Sequence, residues 1–287
     1  MLLLLACMFG ANHVAARVAL DHGVDVATAV AVRSLVTAAV VAAIVAIDRV
    51  PLTLRPRHRK VMPLIGLLVA VQSLCLYSAV ARIPVGLALL AFNTYPLWTA
   101  AAAWALYRHR PERATLIAMP VILFGLALAL DVTGLASGLG AKAQWGRIGA
   151  GVGFALVASA TFGLVLALTQ HEVADLDGRL RTTLTMGIVG VLALLGSFTQ
   201  GGLHWPDALA GWWGLAALTL LYGTAFTIMF TLLPRLGVVG SSPILNVEPV
   251  AALALAWLLL GQSVSAIQML GALLVVGAVM MLGLRRR

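Results

Sequence analysis

Ten apolar stretches run the length of this chain, separated by short breaks that hold most of its charge. A helix needs about 20 apolar residues to cross the hydrocarbon of a bilayer. The stretches lie near 1–20, 26–47, 61–81, 84–106, 114–131, 148–169, 182–200, 209–233, 238–260 and 264–284. Together with their loops they use up the 287 residues, leaving no room for a soluble domain. Composition agrees: 10% of residues are charged, against about 25% in soluble domains. Mean hydropathy is +1.03. The first residues resemble the apolar core of a signal peptide, but no basic region precedes them and the apolar run continues toward Leu20, so they read as the first span.

The chain also repeats itself. Arg82, Val85, Asn93, Pro96 and Trp104 recur without a gap as Arg235, Val238, Asn246, Pro249 and Trp257. The offset is constant, since 235 − 82 = 153 and 257 − 104 = 153. With five spans in each copy, the second copy must enter the membrane inverted relative to the first. The expected fold is therefore an all-α integral membrane protein of ten transmembrane helices, as two inverted five-helix repeats at 1–135 and 145–287. Inverted repeats let a secondary transporter open one site to either side of the membrane.

Charge sets the expected orientation. One set of alternate loops holds 14 Lys and Arg, among them Arg49, Arg55, Arg108, Arg179, Arg235 and Arg287. The opposite set holds Arg82, Lys142 and Arg147. This bias puts both termini in the cytoplasm of a plasma (bacterial inner) membrane protein. It also accounts for the net charge of +9 without nucleic acid. Cys7 and Cys75 both fall in apolar spans and share no pair spacing or His cluster, so neither disulfide nor metal is indicated. No nucleotide loop of the form G-x-x-x-x-G-K-[ST] appears, and no cofactor is expected. Gly149-x-x-x-Gly153 and the alanines at 100–103 are of the kind that lets helix backbones approach closely.

Ionisable groups inside hydrocarbon are costly and mark candidate sites. His13, Arg17, Arg33 and Glu248 are the four within spans. Glu248 falls about 15 Å into its span, near the midplane. Pro249 follows it and removes a backbone donor, opening the helix beside the acid. Glu248 reads either as a substrate-ammonium ligand or proton carrier, or as the permanent partner of Arg33 or Arg17. Arg33 suits a substrate carboxylate, because guanidinium grips carboxylate in a fork, or an ion pair with Glu248. His13 suits a proton relay or a packing role. The offset pairs Glu248 with Tyr95, Asn246 with Asn93, and Pro249 with Pro96. The asparagines read as cavity ligands or interhelical hydrogen bonds. The prolines read as conformational. Gln72, Ser73, Tyr77, Tyr222, Thr224 and Thr227 are further polar residues within spans. Substrate-binding candidates are thus Asn93, Tyr95, Asn246, Glu248, Arg33 and His13, with Pro96 and Pro249 shaping the helices.

Two stretches carry a family likeness. Gly10-Ala11-Asn12-His13-Val14-Ala15-Ala16-Arg17 resembles the first-span motif of EamA-type transporters, in the drug/metabolite transporter superfamily. Residues 243–282, with Glu248-Pro249, the run at 257–261 and Gln268-x-x-Gly271, resemble the close of the second EamA unit. The chain departs from the family at Gly261-Gln262, where Gly-Glu is usual. The resemblance implies a ten-helix transporter with a central cavity, exporting amino acids or other small metabolites. Expected partners are a small-molecule substrate, membrane lipids and protons, and a homodimer is compatible with this architecture. The competing class is a membrane-embedded enzyme acting on lipid or lipid-linked substrate. Its catalytic groups would come from Asp21, His22, Asp25, Asp131, His204 and Asp207, near the outer surface.

Overall fold

The computed structural model describes residues 2–109, 113–134, 137–228, 248–261 and 265–284. Arg110, Pro111, Glu112, Arg235, Val238, Pro243, Asn246, Gln262 and 285–287 lie outside the described residues. The described chain is helical, with no strand among the described residues. Its helices are α1 (Leu2–Asp21), α2 (Val26–Ile47), α3 (Pro56–Arg82), α4 (Val85–Phe92), α5 (Tyr95–Tyr107), α6 (Arg113–Ala129), α7 (Ala141–Glu172), α8 (Gly178–Phe198), α9 (Leu209–Thr227), α10 (Glu248–Leu260) and α11 (Ala266–Leu284). Six helical stretches among the described residues are long and apolar enough to cross a membrane, counting Val85–Tyr107 as one. The outer surface is apolar too. Ile117, Phe124, Trp213, Trp257, Leu258 and Leu259 are all more than half exposed. A face of that kind calls for lipid rather than water around it.

Local chemistry fixes the helix ends. The Asp25 carboxylate accepts the Thr28 N–H at 2.9 Å and starts α2. Asp177 does the same for α8, accepting the Arg179 N–H at 2.8 Å. Pro56, at the start of α3, needs no N–H where the helix offers no acceptor. The span expected to run unbroken from 84 to 106 is instead two helices. Pro96 lacks the N–H that would bond the Phe92 carbonyl, so α4 stops there, and a turn at Asn93-Thr94 leads into α5. Helix α5 ends at Arg108 with φ 59°, and α10 ends at Gly261 with φ 63°. These two left-handed caps are again 261 − 108 = 153 residues apart.

Helices pack in pairs: α2 on α8, α3 on α7, α1 on α9, and α6 on α11. Further contacts join α5 to α7, α1 to α10, α3 to α8, and α2 to α9. One apolar core lies among α3, α4, α6, α7, α10 and α11, and a second among α1, α2, α3, α8 and α9. The close backbone approaches are not where the sequence suggested. A Cβ on Gly153 would meet nothing within 4 Å, and one on Gly149 would touch only the Trp145 ring. Helices instead meet closely at Gly10, Gly163, Gly214 and the Gly125–Gly271 crossing.

The loops fall at two ends. At one, Arg55 and His58 reach Asp175 at 2.7 and 3.0 Å, and Arg179 reaches Asp48 at 2.6 Å. At the other, the Asp207 N–H donates to the His22 carbonyl at 3.1 Å, and the His204 N–H to the Thr28 hydroxyl at 3.0 Å. Loops 48–55 and 173–177 thus share one end of the bundle, and loops 22–25 and 199–208 share the other.

Candidate functional site

Arg33 lies seven residues into α2, about 10 Å from its start. Its side chain turns into the bundle, where the residue is 3% exposed. The guanidinium donates from Nη1 to the Tyr77 hydroxyl at 2.9 Å and from Nη2 to the Ser73 hydroxyl at 3.0 Å, both on α3. Its Cζ stands 3.9 Å from the centroid of the Tyr222 ring on α9 and 4.8 Å from that of Tyr77. Cation–π attraction of this kind strengthens when desolvated. These partners are all neutral. No carboxylate lies within ion-pairing distance of Arg33 among the described residues, and its Nε has no hydrogen-bond partner there.

The network continues onto α1. A guanidinium only donates, so the Tyr77 oxygen is an acceptor toward Arg33, and its proton goes to Asn12 Oδ1 at 3.4 Å. Asn12 is fully buried and its Nδ2 is unpartnered. The next residue, His13, places its ring edge-on to Tyr77 with centroids 5.9 Å apart. His13 Nε2 faces Glu248 Oε1 at 3.2 Å, and its Nδ1 is buried without a partner. Glu248 is the first residue described in α10 and its side chain is 26% exposed. Five helices thus contribute to one connected polar cluster.

Of the two partners the sequence offered Glu248, the structure brings neither to it. Glu248 meets His13, not Arg33 or Arg17. Arg17 points the other way, pairing with Asp21 at 2.9 Å and donating to the Val80 carbonyl at 2.7 Å. Close backbone contact explains why His13 is the partner. A Cβ on Gly10 would lie 2.9 Å from the Ala252 nitrogen and 3.1 Å from the Glu248 carbonyl oxygen. Glycine therefore lets α1 lie against α10, and His13, one turn along, reaches the acid.

Asn93 and Tyr95 lie in a different setting. Asn93 is buried at the break between α4 and α5. Beside it, the Thr94 and Ser159 hydroxyls meet at 2.9 Å. Tyr95 packs with Phe92 and Phe162, at 5.7 and 5.2 Å between centroids. The contact beneath it matches the one under Glu248. A Cβ on Gly163 would lie 2.7 Å from the Thr99 nitrogen, and Gly163 and Thr99 are Gly10 and Ala252 displaced by 153. Pro96 and Pro249 each occupy the second position of their helix as described. Asn12 was legible only as part of a motif. The signal that singles it out, its tie to Tyr77, joins residues 65 positions apart.

Four of the six groups weighed for surface catalysis have local partners. Asp21 holds Arg17, Asp25 caps α2, His22 Nδ1 bonds the Val18 carbonyl at 2.7 Å, and Asp131 accepts the Ser137 N–H at 2.8 Å. At the opposite end of the bundle, the His58 hydrogen bond leads in holding the Asp175 carboxyl below the usual carboxylate range, helped by Arg55. The Arg179 side chain does likewise for Asp177. Among the described residues, no group of three or more His, Cys, Asp and Glu is placed to hold a metal.

Comparison with known proteins follows this geometry. The model of the EamA-like transporter family matches residues 1–130 and 149–284. A solved structure, described only as "Crystal structure of protein", superposes with a TM-score of 0.62 at 18% identity. The match covers 100% of this chain and 96% of that one, which is a likeness of fold. No curated protein matches the chain.

Proposed function

The chain belongs to the EamA-like transporter family, and from that premise we propose that it is a secondary transporter exporting a small polar or amphipathic metabolite by alternating access. It is a multi-pass membrane protein. In this reading α4 and α5 form one broken span, and ten spans make two inverted repeats, 1–135 and 145–287. Both termini face the cytoplasm at the inner membrane. Exchanging α1–α6 with α7–α11 turns the α3–α7 pair into α9–α1, the α5–α7 contact into α10–α1, and the α3–α8 contact into α9–α2. The α2–α8 and α6–α11 pairs map onto themselves. A pseudo-two-fold axis would give that pattern. The matched glycines and left-handed caps at an offset of 153 support it further.

The observation that carries the function is the connected polar cluster of Asn12, His13, Arg33, Tyr77 and Glu248. It draws on both proposed repeats and lies within spans, where polar groups are costly. His13 and Glu248 are bound to each other by a contact that a substrate or a proton can replace. Asn93, Tyr95 and Asn246 are further substrate ligands in this reading, with Pro96 and Pro249 as conformational residues. Export of metabolites from cells bearing the wild-type chain or Glu248→Gln tests this, with insertion followed in parallel. The expected result is loss of export with unchanged membrane abundance. Unchanged export at equal abundance would remove Glu248 from the mechanism.

A further inference from the structure

We propose that the Arg33–Tyr77–Asn12 chain is a seat for an organic carboxylate, so that the transported molecule is an anion at this point of contact. The proposal rests on the transporter reading and adds the charge of the substrate to it.

The cluster has more donors than acceptors. Arg33 brings five N–H donors and no acceptor. Tyr77 and Ser73 take one each, and among the three that remain the Nε–H has no acceptor among the described residues. The Ser73 hydroxyl passes its own proton on to Gln72 Oε1 at 3.2 Å. Tyr77 gives its only proton to Asn12 Oδ1, which fixes the amide and leaves Asn12 Nδ2 as a second donor without an acceptor among the described residues. Both leftover donors belong to residues at most 3% exposed. Unmet donors at that depth are costly, and a ligand rich in acceptors relieves them.

Charge points the same way. Arg33 is surrounded by neutral groups, and a buried charge without a counter-charge is strongly unfavourable. Glu248 is held by His13, and residues 229–247 contain no Asp or Glu. Among the described residues nothing supplies a counter-ion at Arg33. A carboxylate supplies the charge and the two acceptor oxygens together, and guanidinium binds it in the best available geometry.

The test uses purified full-length protein in detergent, followed by tryptophan fluorescence during heating. The probes are benzoate and succinate, each beside its uncharged amide, benzamide and succinamide. At least one carboxylate is expected to raise the melting temperature by several degrees, with no shift from its amide. Arg33→Met is expected to abolish the shift while remaining folded, because it replaces an unpaired charge with apolar volume. Asn12→Leu keeps Arg33 in place, should reduce the shift several-fold, and decides the matter should Arg33→Met not fold. No shift from either carboxylate, an equal shift from an amide, or a full shift in the variants overturns the proposal. Flux into liposomes separates the two claims. Carboxylate binding through Arg33 without flux of any metabolite would sink the transporter and leave the seat. Flux of neutral or cationic metabolites without carboxylate binding would do the reverse.

Discussion

Two corners of the molecule share a backbone and differ in chemistry. In one, Gly10 of α1 lies against Ala252 of α10, and His13 meets Glu248 above that contact. In the other, Gly163 of α7 lies against Thr99 of α5, and the residue in place of Glu248 is Tyr95, packed with Phe92 and Phe162. The offset of 153 puts Leu166 where His13 would be, and Met186 where Arg33 would be. The close helix crossing is therefore duplicated while the charge is not. Packing constrains backbone approach at both corners equally, because a single methyl group is enough to disturb a close-packed contact. Ionisable groups inside hydrocarbon are kept only where they have a use. The two glycine crossings match while the ionisable groups lie at one of them.

The largest expected effect tests the shared half of this comparison. Gly10→Val and Gly163→Val each push a side chain into backbone, so each should cost about 3 kcal/mol of stability. The two melting curves should fall by similar amounts in detergent. A severe loss at one and none at the other would end the equivalence of the corners. The next effect tests the unshared half. Glu248→Gln should lower flux at least about tenfold, equivalent to 1.4 kcal/mol. Tyr95→Phe, which keeps the aromatic packing, should change flux by less than about twofold, or roughly 0.4 kcal/mol. Equal losses in reconstituted liposomes would mean that the site uses both corners alike.

Much of this was legible in the sequence, and the failures have physical causes. Apolar length marks a span because hydrocarbon thickness sets it, so α1, α2 and α8 fall close to their expected limits. The repeat was visible because Asn, Pro and Trp are rare enough in apolar sequence to align. Pairing of the charges was not. One reading of the sequence pairs Arg33 with Glu248, yet which groups touch depends on where helices cross. Gly10 decides that, through a contact 242 residues away in the chain. Likewise, Gly149 and Gly153 have the right spacing, but neither meets the backbone of another helix. Spacing tells which residues share a helix face, and only the fold tells what that face meets. The break at Asn93-Thr94 was half legible. Pro96 announced a disturbance, and its missing donor placed the interruption one turn earlier.

A smaller effect concerns Arg33 as a structural group. Its counterpart Met186 accepts the Tyr222 hydroxyl at 3.6 Å, so Tyr222 touches both members of the pair, by its face and by its oxygen. Replacing buried ionic groups with apolar ones of similar size is often neutral or stabilising. Arg33→Met should therefore leave stability unchanged or raise it by about 1 kcal/mol in the absence of ligand. The same substitution should remove function. A marked loss of stability would mean that the cation holds the first proposed repeat together, and the contrast between the corners would be one of folding rather than use.

The smallest effect lies far from either corner, where Asp175 ties the loop after α7 to the start of α3. His58 and Arg55 favour the ionised carboxylate and hold its pKa down. A group whose folded pKa is depressed stabilises the fold above its unfolded pKa, about 3.9 for Asp. That stability fades as pH falls through the lower folded value. Asp175→Asn should thus lower the melting temperature slightly at pH 7, and the gap to wild type should close as pH drops below about 4. Adding salt should narrow the gap at pH 7 as well, because the carboxylate is solvent-exposed and screened. A gap that survives both treatments would assign the loop contact to shape rather than charge.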